Sequence, residues 1–186
     1  ERYPAHHHRR GNLARMLVTL ATRTFTPEPT AAALRLGALA RALAGGGDRV
    51  RVLTSRLAPA VARDAARAEE PGTGLVEVRR APVLRDRTGA VRGYVSYLSF
   101  DVPLIARLLA GPRPDVVVAE PPPTTGAAVR LACALRRVPY VYYCADIVSD
   151  AAALAGVARP VVRAVAGLES FALRGARRVV AVSDGV

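Results

Sequence analysis

The chain has 186 residues, 51% hydrophobic and 23% charged, a composition that fits one folded domain or a little more and excludes a disordered chain. All 27 basic residues are arginine and the net charge is +12, which matches the coding bias of a GC-rich genome, so part of the charge needs no partner. Two cysteines are too few for a disulfide scaffold, and no stretch free of Asp, Glu, Arg and His exceeds the nine residues from Pro121 to Val129, which excludes a membrane-spanning helix.

Residues 1–15 carry Arg2, Arg9, Arg10 and Arg15 against Glu1 and have no helical or strand period. They read as a disordered basic tail, either an expression remnant or a translated upstream stretch; a basic arm for nucleic acid or membrane is the other reading. No signal-peptide order of charge, apolar run and cleavage site follows.

From residue 16 onward short apolar runs alternate with longer segments of helical period. Met16 to Ala21 reads as a buried strand, and a helix follows from about Thr30 to Ala44 with Leu36, Leu39, Ala40 and Leu43 on one face. Gly45-Gly46-Gly47-Asp48 stops it, and Arg49 to Thr54 is the second strand. Leu57 to Ala68 predicts a helix, Leu75 to Val78 a third strand, and Arg79 to Gly93 a long loop. Tyr94 to Ala110 is helical, with Pro103 expected to kink or split it. Asp115 to Ala119 is a strand, and Pro121-Pro122-Pro123 forces a loop. Thr124 or Thr125 is expected to cap a helix to Arg136 with Ala128, Leu131, Ala132 and Leu135 inside. Val138 to Cys144, helices near Ala151 and from Pro160 to Arg174, and a strand from Arg178 to Val182 complete the order.

Six apolar strands with helices between most of them predict an α/β fold: a doubly wound, Rossmann-like parallel sheet covered on both faces. The loops after Ala21, Leu53, Ala119 and Cys144 then open into one crevice.

Each loop offers two readings. All three histidines lie within the first ten residues, so Ser-His-Asp, Cys-His and His-based zinc chemistry are excluded from the body. The helix start at Thr30-Ala31-Ala32 offers free N–H groups to a phosphate, or Pro27 and Pro29 merely shape a turn. Neither a Gly-x-Gly-x-x-Gly fingerprint nor a Walker loop is present. Glu120 before three prolines is a substrate rim or a solvated acid. Asp146 and Asp150, past an apolar strand, orient or deprotonate a hydroxyl, although position alone favours a helix-end role. Arg79, Arg80, Arg85, Arg87 and Arg92 form a solvated loop or contact an anionic bilayer or phosphate. Nucleic acid is not expected, because aromatics are 5% and no stacking platform is visible. Cys133 and Cys144 read as inert buried thiols.

In order, these segments resemble the N-terminal domain of GT-B glycosyltransferases of family 4. Phe25-Thr26-Pro27-Glu28-Pro29, Arg35 and Leu39 to Leu43 are similar to that family's first loop and helix. Val50 to Thr54 resembles its second strand, and Glu120-Pro121-Pro122 stands where a polysaccharide-synthesising branch often has Ser-Pro-Pro. Val138 to Val141 and Asp146 match the approach to its Asp-Leu-Trp-Pro-Glu motif, and Glu169, Ala176 and Arg178 to Ser183 its closing helix and strand. Departures are Thr30 and Ala31 in place of glycines, Gly47-Asp48 in place of Gly-His, and Ile147-Val148-Ser149-Asp150 after Asp146.

The resemblance, spanning 16–186, implies the acceptor-binding half of a retaining glycosyltransferase that uses a nucleotide-sugar donor and no metal or other cofactor. Thr30 and Ala31 would approach the donor diphosphate, Arg35, Glu120 and Tyr143 would line the acceptor side, and Asp146 would act as the catalytic residue that orients the acceptor hydroxyl. The donor-binding second domain of that family, with its paired glutamates, has no counterpart here, so the expected partners are that domain or a second subunit, the donor, and a glycan, lipid-linked or small-molecule acceptor. Little turnover by this chain alone, self-association through an open flank, a cytoplasmic location and peripheral membrane contact are the further expectations. The rivals are a non-catalytic Rossmann-like module binding a partner subunit or anionic surface through its arginine-rich face, and a small-ligand flavodoxin-like domain.

Overall fold

The computed structural model describes residues 15–65, 74–86, 89–91, 93–145 and 147–182. The tail, Arg87, Arg92 and Asp146 lie outside these. Twelve elements alternate: β1 (Leu17–Ala21), α1 (Ala31–Gly45), β2 (Arg49–Ser55), α2 (Pro59–Ala65), β3 (Val76–Ala81), α3 (Tyr94–Ala110), β4 (Val116–Ala119), α4 (Pro123–Arg136), β5 (Tyr140–Cys144), α5 (Val148–Leu154), α6 (Arg159–Gly175) and β6 (Arg178–Ala181). The strands form one parallel sheet in the order β3-β2-β1-β4-β5-β6. The expected doubly wound sheet is therefore present.

Alternation within the strands divides the core. Val18, Leu20, Val50 and Val52 face one side and bury Leu36, Ala40 and Ala44 of α1. Ala21, Leu53, Val117, Tyr140 and Tyr142 face the other and meet Phe100, Leu104 and Leu108 of α3, Val129 and Ala132 of α4, and Ala172 of α6. Two acids pin the start of β1. Asp48 accepts from the Met16 amide at 3.0 Å and Asp115 from the Leu17 amide at 2.7 Å.

Several expectations change. α3 is one helix through Pro103, because Phe100, Leu104 and Leu108 bury both halves against the sheet. α4 begins at Pro123 with Pro122 as N-cap, so neither threonine caps it; proline suits a first turn that has no use for its N–H. Thr125 instead donates to Asp101 Oδ1 at 2.6 Å. The inner face of α4 consists of Thr125, Gly126, Ala128, Val129, Ala132 and Cys133, and Leu131 and Leu135 are exposed. β3 runs on to Ala81, paired with Ser55, so Arg79 and Arg80 are strand residues and not loop.

Candidate active site

The strand order reverses between β1 and β4, and beyond their C-terminal ends lies a cleft of about 720 Å³. Every expected loop contributes to it. Arg23, Glu28 and Thr30 come from the β1–α1 connection and Arg35 from α1, Ala58 and Val61 from beyond β2, and Arg85 and Gly89 from beyond β3. Tyr97 of α3, Glu120 to Pro122 after β4, and Ala145 and Val148 after β5 complete the wall.

α1 opens on this cleft. Thr30 is its N-cap and accepts from the Ala33 amide at 3.1 Å. The first-turn amides of Ala31 and Ala32 have no carbonyl one turn back, which leaves the helix end suited to negative charge. Ala32 lines the cleft and Ala31 is exposed beside it. One turn on, Arg35 is half-buried in the wall, and its Nε has no hydrogen-bond partner among the described residues.

Glu120 is buried, which excludes the solvated reading. Its Oε2 accepts from Thr22 Oγ1 at 2.7 Å, and its amide donates to the Ala21 carbonyl, so the carboxylate is fixed at the ends of both switch-point strands. Thr30, Arg35 and Glu120 are thus brought together. Tyr143 is half-buried on β5 and does not line the cleft. Asp146 lies outside the described residues. Asp150 is exposed in the first turn of α5, consistent with a helix-end role. That helix start is held mainly from elsewhere: Glu169, buried on α6, accepts from the Val148 amide at 2.9 Å, the Ser149 amide at 3.3 Å and Ser149 Oγ at 2.6 Å.

Sequence reasoning missed the charged floor of the cleft. Arg23 lies over the Tyr97 ring, 3.9 Å from its centroid, and its Nε and Nη1 are buried without hydrogen-bond partners among the described residues. Burial lowers its pKa, opposed by Tyr97, Asp101 and Glu120. Burial likewise raises the Asp101 carboxyl above its ordinary range, opposed by Thr125 and by the charge of Arg23. The available signal was Arg23 two residues beyond a strand without charge.

Within the arginine-rich segment Arg80 and Arg85 are tied down, whereas Arg79 is exposed and Arg87 and Arg92 lie outside the described residues. Arg80 donates to the carbonyls of Ser55 at 3.2 Å and Thr26 at 2.5 Å. Arg85 pairs with Glu28 at 3.3 Å and donates to Ser55 Oγ at 3.2 Å and to the Arg56 carbonyl. These two cations lock the β1–α1 loop to the β2 end and are internal, while Arg79 pairs with Glu77. Among the described residues no three His, Cys, Asp or Glu side chains gather as a metal-ligand set, and no helix is long and apolar enough to cross a membrane.

No curated protein sequence matches the chain. Its fold is similar to that of Arabidopsis thaliana UGT89C1 complexed with UDP-L-rhamnose, with a TM-score of 0.60 at 12% identity over 91% of this chain and 45% of that one. The UDP complex of the same plant protein gives 0.58 at 10% identity with the same coverage. The UDP-GlcNAc 2-epimerase of Methanocaldococcus jannaschii gives 0.51 at 14% identity over 92% of this chain and 40% of that one. At such identities the likeness is one of fold, that of one Rossmann-like half of a GT-B architecture, and the chain spans less than half the length of these proteins. The family model of the glycosyl transferase 4-like domain matches residues 30–186, and the chain belongs to that family.

Proposed function

We propose that the chain is the acceptor-side domain of a retaining, metal-independent glycosyltransferase that moves a sugar from a nucleotide-sugar donor to a glycan, lipid-linked or small-molecule acceptor. The observation that carries this reading is the switch-point cleft, which a helix N-terminus, Arg35 and a fixed carboxylate, Glu120, line together. Family membership and a similar fold holding UDP-L-rhamnose support it.

In this reading the α1 start at Thr30 and Ala31 offers amides and helix dipole to the donor diphosphate. Arg35 and Glu120 hold acceptor hydroxyls or charge, Glu120 with its orientation set by Thr22. Tyr143 has a place on the acceptor side only if the acceptor reaches beyond the cleft. Asp146 orients the attacking hydroxyl; Ala145 and Val148, on either side of it in the chain, line the cleft. Most of the donor contacts and transition-state electrostatics belong to a second domain or subunit.

The test is to read the coding DNA past the codon for Val186 and to assay the longer product, where one exists, against a panel of nucleotide sugars. Retention is read from the anomeric configuration of the product by NMR. Transfer that falls at least about tenfold in Asp146→Asn, with the fold intact, supports the assignment. Unchanged turnover removes Asp146 from it. Donor epimerisation without transfer would favour the chemistry of the archaeal neighbour instead.

A further inference from the structure

The connection between β1 and α1, residues 22–30, has no helix or strand of its own, and Pro27 and Pro29 remove two of its donors. Its front is anchored by Thr22 on Glu120. Farther along, side chains from the β2–β3 edge of the sheet take over. Ser55, wholly buried at the end of β2, donates to the Arg23 carbonyl at 2.7 Å. Arg80 of β3 donates through Nη2 to the Thr26 carbonyl at 2.5 Å and through Nη1 to the Ser55 carbonyl at 3.2 Å. Arg85, beyond β3, pairs with buried Glu28 at 3.3 Å, and donates to Ser55 Oγ at 3.2 Å, to the Gly89 carbonyl at 2.8 Å and to the Arg56 carbonyl. Two guanidinium groups and one hydroxyl thus join the connections after β1, β2 and β3, all of which wall the cleft.

The chain of contacts ends at a helix start. The Glu28 carbonyl accepts from the Thr30 amide at 2.8 Å, and Thr30 is the N-cap of α1. Holding Glu28 therefore sets where the free amides of the first turn lie. The body of α1 is held by Leu36, Ala40 and Ala44 against the sheet, but apolar contact has no direction, whereas these hydrogen bonds do. Without the arginines the Thr26 carbonyl and the Glu28 carboxylate would be left to find water, and the loop would follow them outward. Arginine suits the task because its planar fork spans acceptors from several segments, which the single ammonium of lysine does not.

We propose that Arg80 and Arg85 are positioning residues of the cleft, acting through the β1–α1 loop to hold the α1 start where an oxyanion meets its free amides. Arg85 also forms part of the cleft wall, whereas Arg80 lies behind it and touches the site only through the loop. The gain is preorganisation, since amides already in place cost no ordering when the anion arrives. Resting on the transferase reading, that anion is the donor diphosphate.

The test compares two variants of the 186-residue chain that remove the same charge from adjacent positions on β3. Arg80→Gln takes away the loop contacts; Arg79→Gln takes away an exposed side chain paired with Glu77 and leaves them in place. Amide exchange over residues 22–33, followed by mass spectrometry, is expected to quicken at least about tenfold in Arg80→Gln and to stay at the parent rate in Arg79→Gln, with α4 unchanged in both. UDP is expected to bind Arg80→Gln at least about threefold more weakly than Arg79→Gln. Arg80→Lys, which keeps the charge and can meet one carbonyl but not both, is expected to fall between them, and it carries the comparison if Arg80→Gln loses its cooperative melt. Exchange unchanged in Arg80→Gln overturns the proposal, as does equal UDP affinity in the two glutamine variants. A parent chain that binds no UDP would remove the diphosphate from the transferase reading and the positioning role with it, whereas UDP binding indifferent to Arg80 removes the positioning role alone.

Discussion

Buried carboxylates in this chain do different work according to what surrounds them. Glu169 meets three donors at the start of α5, so Glu169→Ala leaves a buried amide, a half-buried one and a hydroxyl unpaired; the expected loss is about 2 kcal/mol in urea unfolding. Asp101 is the opposite case, since burial raises its pKa and its Oδ2 has no hydrogen-bond partner among the described residues. Between the ordinary carboxyl pKa and the raised one the folded state holds more proton than the unfolded state. Its contribution to stability is thus complete below about pH 4 and is lost as pH rises through the raised value. Asp101→Asn does not titrate, so its melting temperature relative to the parent is expected to rise between about pH 4 and pH 7; a flat difference would remove the shift. Cys133, pushed up to about 12 by burial, and Cys144 are both buried and neither is in a disulfide. A thiol reagent is expected to leave both unmodified in the native protein and to label both after denaturation. The buried thiols were legible in the sequence, but the carboxylate environments are not visible in a linear reading, because the partners lie far apart: Glu169 is 20 and 21 residues from the groups it holds, and Arg85 is 57 from Glu28.

At the scale of elements, apolar runs made the strands legible, and the crossover rule supplied their parallel order. Helix faces were less legible, since periodicity marks where large apolar residues recur and not where the sheet is. In α4 the small residues won the interior because the helix is wedged against Tyr142 and Ala172: a Cβ on Gly126 would stand 2.5 Å from Tyr142 Cε2 and 2.8 Å from Ala172 Cβ. Gly126→Ala is expected to cost about 1 to 3 kcal/mol. In α1 the same substitution separates two effects. A Cβ on Gly37 would meet Thr26 Cγ2 at 2.7 Å, so Gly37→Ala displaces the β1–α1 loop that walls the cleft, whereas at Gly45 nothing lies within 4 Å. Gly45→Ala is expected to stabilise by about 0.5 kcal/mol and leave ligand affinity unchanged, while Gly37→Ala weakens it. Parallel thermal melts and ligand titrations distinguish the two.

For the whole molecule, the position of the cleft followed from topology alone, because a reversal of strand order opens a crevice whatever the loops contain. Its lining did not, since Arg23 and Arg85 converge from two separate connections and Tyr97 from α3. The cleft is open and is built from one Rossmann-like unit, and the similar plant fold that holds UDP-L-rhamnose is more than twice as long as the matched region. In the proposed role a nucleotide diphosphate would meet the α1 helix start on one wall of the cleft, and a single wall leaves much of such a ligand hydrated. UDP titrated calorimetrically into this chain alone is expected to bind with Kd on the order of 1 mM. A longer product carrying a donor-side domain is expected to bind at least about tenfold tighter, because both walls then exclude water from the phosphates. In that longer form the two proposed roles separate kinetically. Arg35→Ala, removing a binding cation, is expected to raise the acceptor KM with a smaller change in kcat; Asp146→Asn, removing the group that orients the attacking hydroxyl, is expected to lower kcat with KM nearly preserved. An Arg35 variant that loses UDP affinity while keeping its acceptor KM would move that arginine to the donor side of the cleft, beside the α1 helix start it follows by one turn.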